Sequence, residues 1–426
     1  MKLTEHTRTK IICTIGPKCN SEKALKELKM SGMDIARINM SHGLYDEVQL
    51  TVNNIVKIRG DDTFPLLAFD TRGPEIRVKI EKPIEIKEGE RVVLSGLNGN
   101  GKIKINLDRL DKIKKGMDVL VDDGNLRMVV DRDGDEVVCV AANSYIVKPG
   151  KAMNIPDMKM DEGVPTEKDK NDIFLGLKNK VDYVFLSFIS NAAEIRKVRD
   201  FIRDMNGHMP VLIAKIENKE AIRNINEIIK EADGIMVARG DLAVEIGMGH
   251  CFSAQKMITK KCLLMKKPFI MATQMLESMT EASTPTRAEV SDVGNAVLDS
   301  CDCVMLSGET ATGRHPAHVV RTMKTIVRDA EFFKYGERKE KSRAMLIFMH
   351  HYSDHVVELK YSYKAPVVII SKDEYVLRQV GHHAGFFCFR MKSDEHYEQT
   401  IKRVKKSYGI DEYEWIIVGD ERNNVN

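Results

Sequence analysis

Several features that would point to particular classes of protein are missing from this chain of 426 residues. No apolar run approaches the roughly 20 residues that a membrane-spanning helix needs, so we expect no membrane partner. The net charge is only +3, which does not favour nucleic acid as a partner. The first residues include no apolar segment of a signal peptide, and the eight cysteines follow no disulfide framework spacing. We therefore expect a cytoplasmic protein with reduced thiols.

The composition is that of an ordinary globular protein, with 43% hydrophobic and 30% charged residues. The length allows two or three domains. Eight short apolar runs recur, and amphipathic helical stretches separate most of them. These runs are 10–16, 33–39, 65–70, 183–188, 211–217, 234–241, 268–273 and 302–307. Near-continuous apolar strands that alternate with helices favour an α/β fold built on a closed parallel (β/α)8 barrel, the TIM barrel.

Two other regions depart from this alternation. Between the third and fourth strands the pattern changes to residues of alternating polarity, with hairpin signals at Asp123-Gly124 and Asp133-Gly134. We predict an inserted all-β domain, a β-barrel lid over the barrel mouth, at 73–155, so that the barrel domain comprises 1–72 and 156–333. A charged stretch at 334–343 precedes a helix and the apolar run 365–371, which predicts a small C-terminal α/β domain over 334–426.

Two carboxylates at the ends of successive strands are the strongest functional signal. Glu217 closes the run 211–217, and Asp241 closes the run 234–241. Because parallel strands joined by a helix end at the same edge of a sheet, both side chains are expected at one site. Two hard oxygen ligands beside Lys215 suggest a divalent cation that holds a phosphorylated or carboxylate substrate. Other polar residues end the remaining strands: Arg37, Asn39, Asp70, Ser187, Thr273, Gln274 and Ser307.

The segments around these residues resemble pyruvate kinases, in the family's order, over roughly residues 9 to 330. The similar segments are 9–17 (TKIICTIGP), 36–43 (ARINMSHG), 70–77 (DTRGPEIR), 215–218 (KIEN), 237–242 (VARGDL), 272–279 (ATQMLESM), 285–289 (PTRAE) and 306–310 (LSGET). The resemblance implies an enzyme that transfers the phosphoryl group of phosphoenolpyruvate to ADP, giving pyruvate and ATP, the last step of glycolysis. It also implies a homotetramer.

The resemblance implies roles for individual residues. Glu217 and Asp241 match ligands of Mg²⁺ (or Mn²⁺), and Lys215 matches the lysine that stabilises the transferring phosphoryl group. Substrate contacts are implied for Arg37 and Gly240, and enolate protonation, through water, for Thr273. The site for K⁺ would comprise Asn39, Ser41, Asp70 and Thr71, with the carboxylate of Glu75 close to it. Contacts with the nucleotide would come from Arg77, Lys151, Asn39 and His42.

Two other functions share the strand-end carboxylates. One is a metal-dependent lyase or aldolase that handles pyruvate or oxaloacetate on a related barrel. Such an enzyme has no nucleotide to enclose, so the inserted domain with Arg77 and Lys151 argues against it. The other is a catalytically silent effector-binding or scaffold protein, which the intact Lys215, Glu217 and Asp241 disfavour.

The last domain departs from the family pattern. It is short, and residues 370–377 (ISKDEYVL) stand where regulated members carry a loop of the Ser-Gly-Arg-Ser type. In those members the loop binds a sugar bisphosphate. Asp373 and Glu374 would repel phosphates. We therefore expect no activation by fructose 1,6-bisphosphate.

Overall fold

The structure is a computed structural model that describes residues 6–41, 43–60, 64–107, 109–134, 136–156, 158, 163–336, 343–353, 355–356, 359, 366–410 and 412–418. In chain order its first elements are β1 (Lys10–Thr14), α1 (Glu22–Ser31), β2 (Ile35–Asn39), α2 (Tyr45–Arg59) and β3 (Leu66–Asp70). Among the described residues, nine strands come next with no helix between them: β4 (Ile76–Arg77), β5 (Ile84–Ile86), β6 (Arg91–Ser95), β7 (Ile103–Lys104), β8 (Asp118–Val121), β9 (Leu126–Arg132), β10 (Val137–Ala141), β11 (Tyr145–Val147) and β12 (Ala152–Asn154).

The alternation of helices and strands then resumes. This part contains α3 (Glu167–Lys178), β13 (Tyr183–Leu186), α4 (Ala192–Asp204), β14 (Val211–Ile216), α5 (Lys219–Arg223), α6 (Ile225–Glu231), β15 (Gly234–Ala238), α7 (Arg239–Ile246), α8 (Met248–Leu264), β16 (Phe269–Ala272), a 3-10 turn (Glu277–Thr280), α9 (Arg287–Leu298), β17 (Cys303–Leu306), α10 (Gly308–Ala311) and α11 (Pro316–Tyr335). The last elements are β18 (Arg343–Met349), β19 (Val367–Ser371), α12 (Glu374–Val380), β20 (Phe386–Arg390), α13 (Tyr397–Tyr408) and β21 (Glu412–Val418).

Eight parallel strands close into a barrel in the order β1-β17-β16-β15-β14-β13-β3-β2. These are the eight apolar runs of the sequence, and the predicted (β/α)8 barrel is confirmed. Strands such as β14 and β15 are buried at every position. One face of each packs inside the barrel, where Ile12, Phe185 and Met236 lie, and the other packs beneath the helices. Burial on both faces explains why these strands are continuously apolar.

The chain leaves one strand earlier than the sequence pattern indicates. The run 234–241 is not a strand throughout, because β15 ends at Ala238 and Asp241 lies in the first turn of α7. Asp241 therefore reaches the barrel rim from a helix N-terminus. The prediction that it closes a strand is wrong, although its place at the C-terminal edge is unchanged.

The all-β segment follows β3, as its alternating sequence predicts. Seven of its strands form one sheet in the order β4-β12-β8-β9-β10-β6-β7. The two predicted hairpins join antiparallel neighbours, β8 with β9 and β9 with β10. An antiparallel bridge between Val78 and Ile105 also links the two ends of the sheet, just beyond β4 and β7. The domain limits given above remain predictions.

The last region is a small α/β unit whose four parallel strands lie in the order β20-β19-β18-β21. The sequence pattern predicts a helix as the first element after the charged stretch 334–343. The structure instead begins a strand, β18, at Arg343. Among the described residues no helix combines the length and the apolar character that crossing a bilayer requires.

Asp182 connects this last unit to the barrel. Its carboxylate, 1% exposed, accepts the Leu67 N–H at 2.7 Å. The same carboxylate lies 2.8 Å from the guanidinium of Arg59 on α2 and 2.7 Å from that of Arg378 on α12. Removal of a buried charge leaves its partners buried and uncompensated, which is far costlier than loss of a surface ion pair.

We predict that Asp182→Asn lowers the free energy of unfolding by about 3 kcal/mol. The measurement is urea unfolding followed by the fluorescence of Trp415, the single tryptophan of the chain, which lies on β21. Asp131→Asn is the matched control, since Asp131 pairs with Arg91 on the surface. This variant should lower the free energy of unfolding by less than about 1 kcal/mol. Equal effects of the two variants would contradict the prediction.

Candidate active site

A cavity of about 150 Å³ lies at the C-terminal end of the barrel strands. It is lined by Arg37, Asn39, Ser41, Asp70, Thr71, Arg72, Glu75, Arg77, Ser187, Phe188, Lys215, Glu217, Met236, Ala238, Asp241, Thr273, Met305 and Ser307. This is the edge at which barrel enzymes place their catalytic groups. The structure thus brings most of the predicted site residues together around one cavity.

The buried ammonium of Lys215 is at the centre of the polar lining. Its Nζ donates to Ser187 Oγ at 2.8 Å and to Asp70 Oδ1 at 3.1 Å, and lies 2.9 Å from Glu217 Oε1. Burial disfavours its charged form, but Asp70 and Glu217 outweigh this and raise the pKa of Lys215 above its usual value. Lys215 is therefore a fixed positive charge at neutral pH.

Asp70 joins Lys215 to the arginine of the second strand. Its other oxygen, Oδ2, accepts from Arg37 Nε at 2.6 Å, and Arg37 Nη1 donates to Thr14 Oγ1 at 2.7 Å. Burial raises the pKa of Asp70, but Arg37 and Lys215 outweigh it and hold that pKa below its usual range. One carboxylate therefore orients two cations toward the cavity.

The two predicted metal ligands face the same cavity. Glu217 is 1% exposed, and its Oε2 accepts the N–H of Phe188 at 2.7 Å. Removal from water and the charge of Glu217 raise the pKa of Asp241 to about 7. The two carboxylates carry like charges and repel each other on the cavity wall. A hard cation such as Mg²⁺ between them would relieve that repulsion. In the described part of the chain no group of three or more His, Cys, Asp or Glu side chains forms a metal cluster.

Thr273 and Gly240 face each other across the ends of neighbouring strands. The Gly240 N–H donates to Thr273 Oγ1 at 2.8 Å, and that hydroxyl donates to the carbonyl of Ala272 at 2.7 Å. A Cβ on Gly240 would lie 3.8 Å from Thr273. It would therefore clash with no protein atom, although it would project toward the Thr273 hydroxyl.

The predicted K⁺ ligands are neighbours on one side of the cavity. Asn39 Oδ1 accepts the Ser41 N–H at 3.0 Å, and Thr71 Oγ1 lies 3.3 Å from the carbonyl oxygen of Phe185. Together with Asp70 they offer the oxygen donors that an alkali cation requires. Glu75, which also lines the cavity, is paired with Arg77 at 2.8 Å.

The predicted nucleotide residues are only partly assembled. Arg77 lines the cavity and donates to the carbonyl of Gly150 at 2.7 Å. Lys151 is not in the cavity lining; its ammonium lies 2.9 Å from Asp122 of the all-β segment. His42 lies outside the described residues.

Three lining or supporting residues are more closely involved than the sequence indicates. Ser187, which the sequence marks only as a polar strand end, contacts both Lys215 and Asp70. Nothing in the sequence pattern singles out Thr14, which binds Arg37. Arg72, which lines the cavity, is not among the predicted site residues. Arg72 follows Asp70 and Thr71 directly, so its position beside two candidate ligands is the signal that could identify it.

Comparison with known proteins agrees with this geometry. A family model described as the barrel domain of pyruvate kinase matches residues 6–320. The chain belongs to the pyruvate kinase family. A curated pyruvate kinase from Encephalitozoon cuniculi (strain GB-M1) is 39% identical over 412 residues, which is 93% of this chain and 94% of that protein. The pyruvate kinase of Geobacillus stearothermophilus is 42% identical over 330 residues, 75% of this chain and 56% of that protein.

A solved structure extends the similarity over the whole fold. The crystal structure of a pyruvate kinase from Cryptosporidium parvum has a TM-score of 0.87 and 34% identity, covering 99% of this chain and 96% of that one. The chain is accordingly an enzyme of the phosphotransferase class. The lyase or aldolase considered from the sequence is not favoured.

Proposed function

We propose that the cavity around Lys215 is where this pyruvate kinase transfers the phosphoryl group of phosphoenolpyruvate to ADP. The observation that supports it most strongly is the buried ammonium of Lys215, held by Asp70, Ser187 and Glu217. Phosphoryl transfer depends on charge neutralisation around the moving group more than on covalent chemistry. Lys215 and Arg37 supply that charge without reorganisation, because Asp70 already orients both.

Glu217 and Asp241 would hold Mg²⁺ or Mn²⁺. When bound, the cation neutralises the carboxylate and phosphate charges of the substrate. The two residues would keep it at the rim of β14 and the first turn of α7. Thr273, whose hydroxyl is a weak acid, would serve the protonation of the enolate through water. Gly240, beside it, leaves room for the substrate to approach the backbone.

The presence of Arg77 and of several neutral oxygens in the cavity lining supports the remaining contacts. Arg77 and Lys151 on the all-β segment, with Asn39 and His42 on the barrel, would contact ADP or ATP. K⁺ would be bound by Asn39, Ser41, Asp70 and Thr71. We also propose that the enzyme is a cytoplasmic homotetramer, as the family generally is, with neither membrane nor nucleic acid as partner. The proposed assembly is tested by sedimentation equilibrium, in which a monomer mass would refute it.

The cation requirement tests the reaction directly. ATP formation from phosphoenolpyruvate and ADP should require both a divalent cation and K⁺. Activity should fall at least ~10-fold when tetramethylammonium replaces K⁺, because uncompensated negative charge in the cavity raises the energy of the transition state. ATP formation is followed with a coupled luminescence assay. Full activity without K⁺ would refute the K⁺ site and leave the phosphoryl transfer itself intact.

We predict that fructose 1,6-bisphosphate does not activate the enzyme. Asp373 caps α12 by accepting the Tyr375 N–H at 2.8 Å, and Glu374 follows it in the same turn, beyond β19. Two acids there repel a bisphosphate. The KM for phosphoenolpyruvate should change by less than about twofold when sugar bisphosphate is added at about 1 mM, because like charges in contact disfavour its binding.

A matched variant separates charge from structure in this prediction. Asp373→Asn removes one of the two charges and keeps the cap. Glu374 is retained, because it pairs with Arg378 and Arg390. Any response to the sugar bisphosphate should appear only in that variant. Activation of the unaltered enzyme at micromolar concentrations would contradict the prediction.

A further inference from the structure

Thr273 and Gln274 have an unusual backbone at the end of β16. Their φ angles are +68° and +52°, so two successive non-glycine residues lie in the left-handed region. For a β-branched residue such as threonine this conformation is a clear outlier. Such conformations persist only where the surroundings enforce them, and they concentrate at functional sites.

One arginine, Arg239, the first residue after β15, contacts this backbone directly. Its Nη2 donates to the carbonyl of Thr273 at 2.6 Å, and its Nε donates to the carbonyl of Ala272 at 3.1 Å. The same guanidinium lies 2.9 Å from the sulfur of Met275. Arg239 thus contacts the backbone on both sides of the Thr273 side chain.

Asp292 on α9 fixes the arginine in turn. Both its carboxylate oxygens accept from Arg239 Nη1, at 2.8 and 2.6 Å. The side chain of Arg239 is 12% exposed and that of Asp292 is 32% exposed, so the arginine is mostly buried and the carboxylate is partly open to water. The planar guanidinium spans a carboxylate and two carbonyls at fixed angles, which a single-point cation such as lysine could not do.

We propose that Arg239, oriented by Asp292, is a positioning residue that holds the Thr273 hydroxyl in the geometry needed for proton transfer to the enolate. The proposal rests on the role proposed for Thr273. The Ala272 carbonyl accepts from both Arg239 Nε and the Thr273 hydroxyl, while the hydroxyl oxygen accepts the Gly240 N–H. By fixing that carbonyl, Arg239 fixes where the hydroxyl oxygen and its proton lie.

The proton step can be measured apart from phosphoryl transfer. In the reverse direction a methyl C–H bond of pyruvate breaks and its proton passes to a base that exchanges with solvent. The enolate then takes a deuteron, supplied by D₂O, at the same carbon. The loss of the pyruvate methyl signal in ¹H NMR gives this exchange rate, with Mg²⁺, K⁺ and inorganic phosphate present. ATP formed from phosphoenolpyruvate and ADP gives phosphoryl transfer. The ratio of the two rates does not depend on the fraction of folded enzyme.

The chain offers a matched control at the opposite end of the same strand. Arg199 on α4 donates to Asp233 at 2.7 Å and to the Glu231 carbonyl at 3.0 Å, just before β15 begins. It is, like Arg239, a partly buried arginine that contacts a carboxylate and a backbone carbonyl. Arg199→Met should leave the ratio of exchange to ATP formation at the wild-type value.

Arg239→Met should lower the ratio of exchange to ATP formation at least ~10-fold, because the geometry for proton transfer is lost. The KM for phosphoenolpyruvate should stay within about threefold of the wild-type value. Asp292→Asn, which keeps the arginine, should lower the ratio less. In Thr273→Val, adding Arg239→Met should lower the ratio no further, because the two residues act as a unit.

Equal losses of exchange and ATP formation in Arg239→Met would overturn the proposal. If Thr273→Val itself leaves the ratio unchanged, Thr273 does not take part in proton transfer. The positioning role proposed for Arg239 is then also wrong.

Discussion

Lys215→Met should abolish turnover, lowering kcat by roughly 10³-fold or more, while the KM for phosphoenolpyruvate stays within about threefold. Methionine keeps the length and apolar stem of lysine but removes the charge that Asp70 and Glu217 hold in the cavity. The loss falls on the transition state, where charge on the moving phosphoryl group is greatest. Binding persists because Arg37 remains. Steady-state kinetics with both substrates varied separates the two effects.

A lysine outside the cavity provides the control for this variant. Lys256 on α8 forms a more exposed ion pair, 2.6 Å from Asp299 at the C-cap of α9. Lys256→Met should keep kcat within about twofold, since surface pairs contribute little. A loss shared equally between kcat and the affinity for phosphoenolpyruvate in Lys215→Met would show that the lysine binds substrate rather than stabilising transfer.

Glu217→Gln and Asp241→Asn should each lower kcat by roughly 10²- to 10³-fold and raise the concentration of Mg²⁺ needed for half-maximal rate. Each substitution keeps the shape of the side chain and removes one anionic ligand. Glu217→Gln has a second consequence, because it also removes a partner at 2.9 Å from Lys215. Its loss of kcat should therefore exceed that of Asp241→Asn. Rates are measured over a range of Mg²⁺ concentrations.

Asp299→Asn supplies the corresponding control, since it removes a carboxylate from a more exposed Lys–Asp ion pair whose residues do not line the cavity. Its Mg²⁺ dependence should match that of the unaltered enzyme. Unchanged Mg²⁺ dependence in both Glu217→Gln and Asp241→Asn would show that the divalent cation binds elsewhere.

The barrel and the centre of its site can be predicted because short stretches of sequence determine where each strand lies and which residues end it. Strands buried on both faces are read directly as apolar runs, and Lys215 and Glu217 occur at the end of one such run. Parallel strands carry their last residues to one rim, so spacing along the sequence becomes proximity in the fold. That is why the sequence alone groups Arg37, Asp70, Lys215 and Glu217 at one site.

Long-range contacts cannot be predicted in the same way. Arg239 binds Asp292, 53 residues away, and Ser187 contacts Lys215, 28 residues away. Nothing local to either residue indicates its partner. The sequence places Asp241 on a strand because the apolar run 234–238 continues into residues that also suit a helix start. Strand β18 is not predicted because a charged stretch precedes it. Its pairing with β19 and β21 stabilises a strand there despite that local sequence.

The central claim is that one divalent cation binds at Glu217 and Asp241 together with the substrate. Electron paramagnetic resonance of free Mn²⁺, titrated with enzyme in the presence of phosphoenolpyruvate, measures that binding without turnover. We predict one substrate-dependent Mn²⁺ site per chain. Glu217→Gln or Asp241→Asn should weaken Mn²⁺ binding at least ~10-fold, because each residue supplies a direct ligand, and Asp299→Asn should leave it unaffected. Retention of that site at full affinity when both Glu217 and Asp241 are replaced would contradict it.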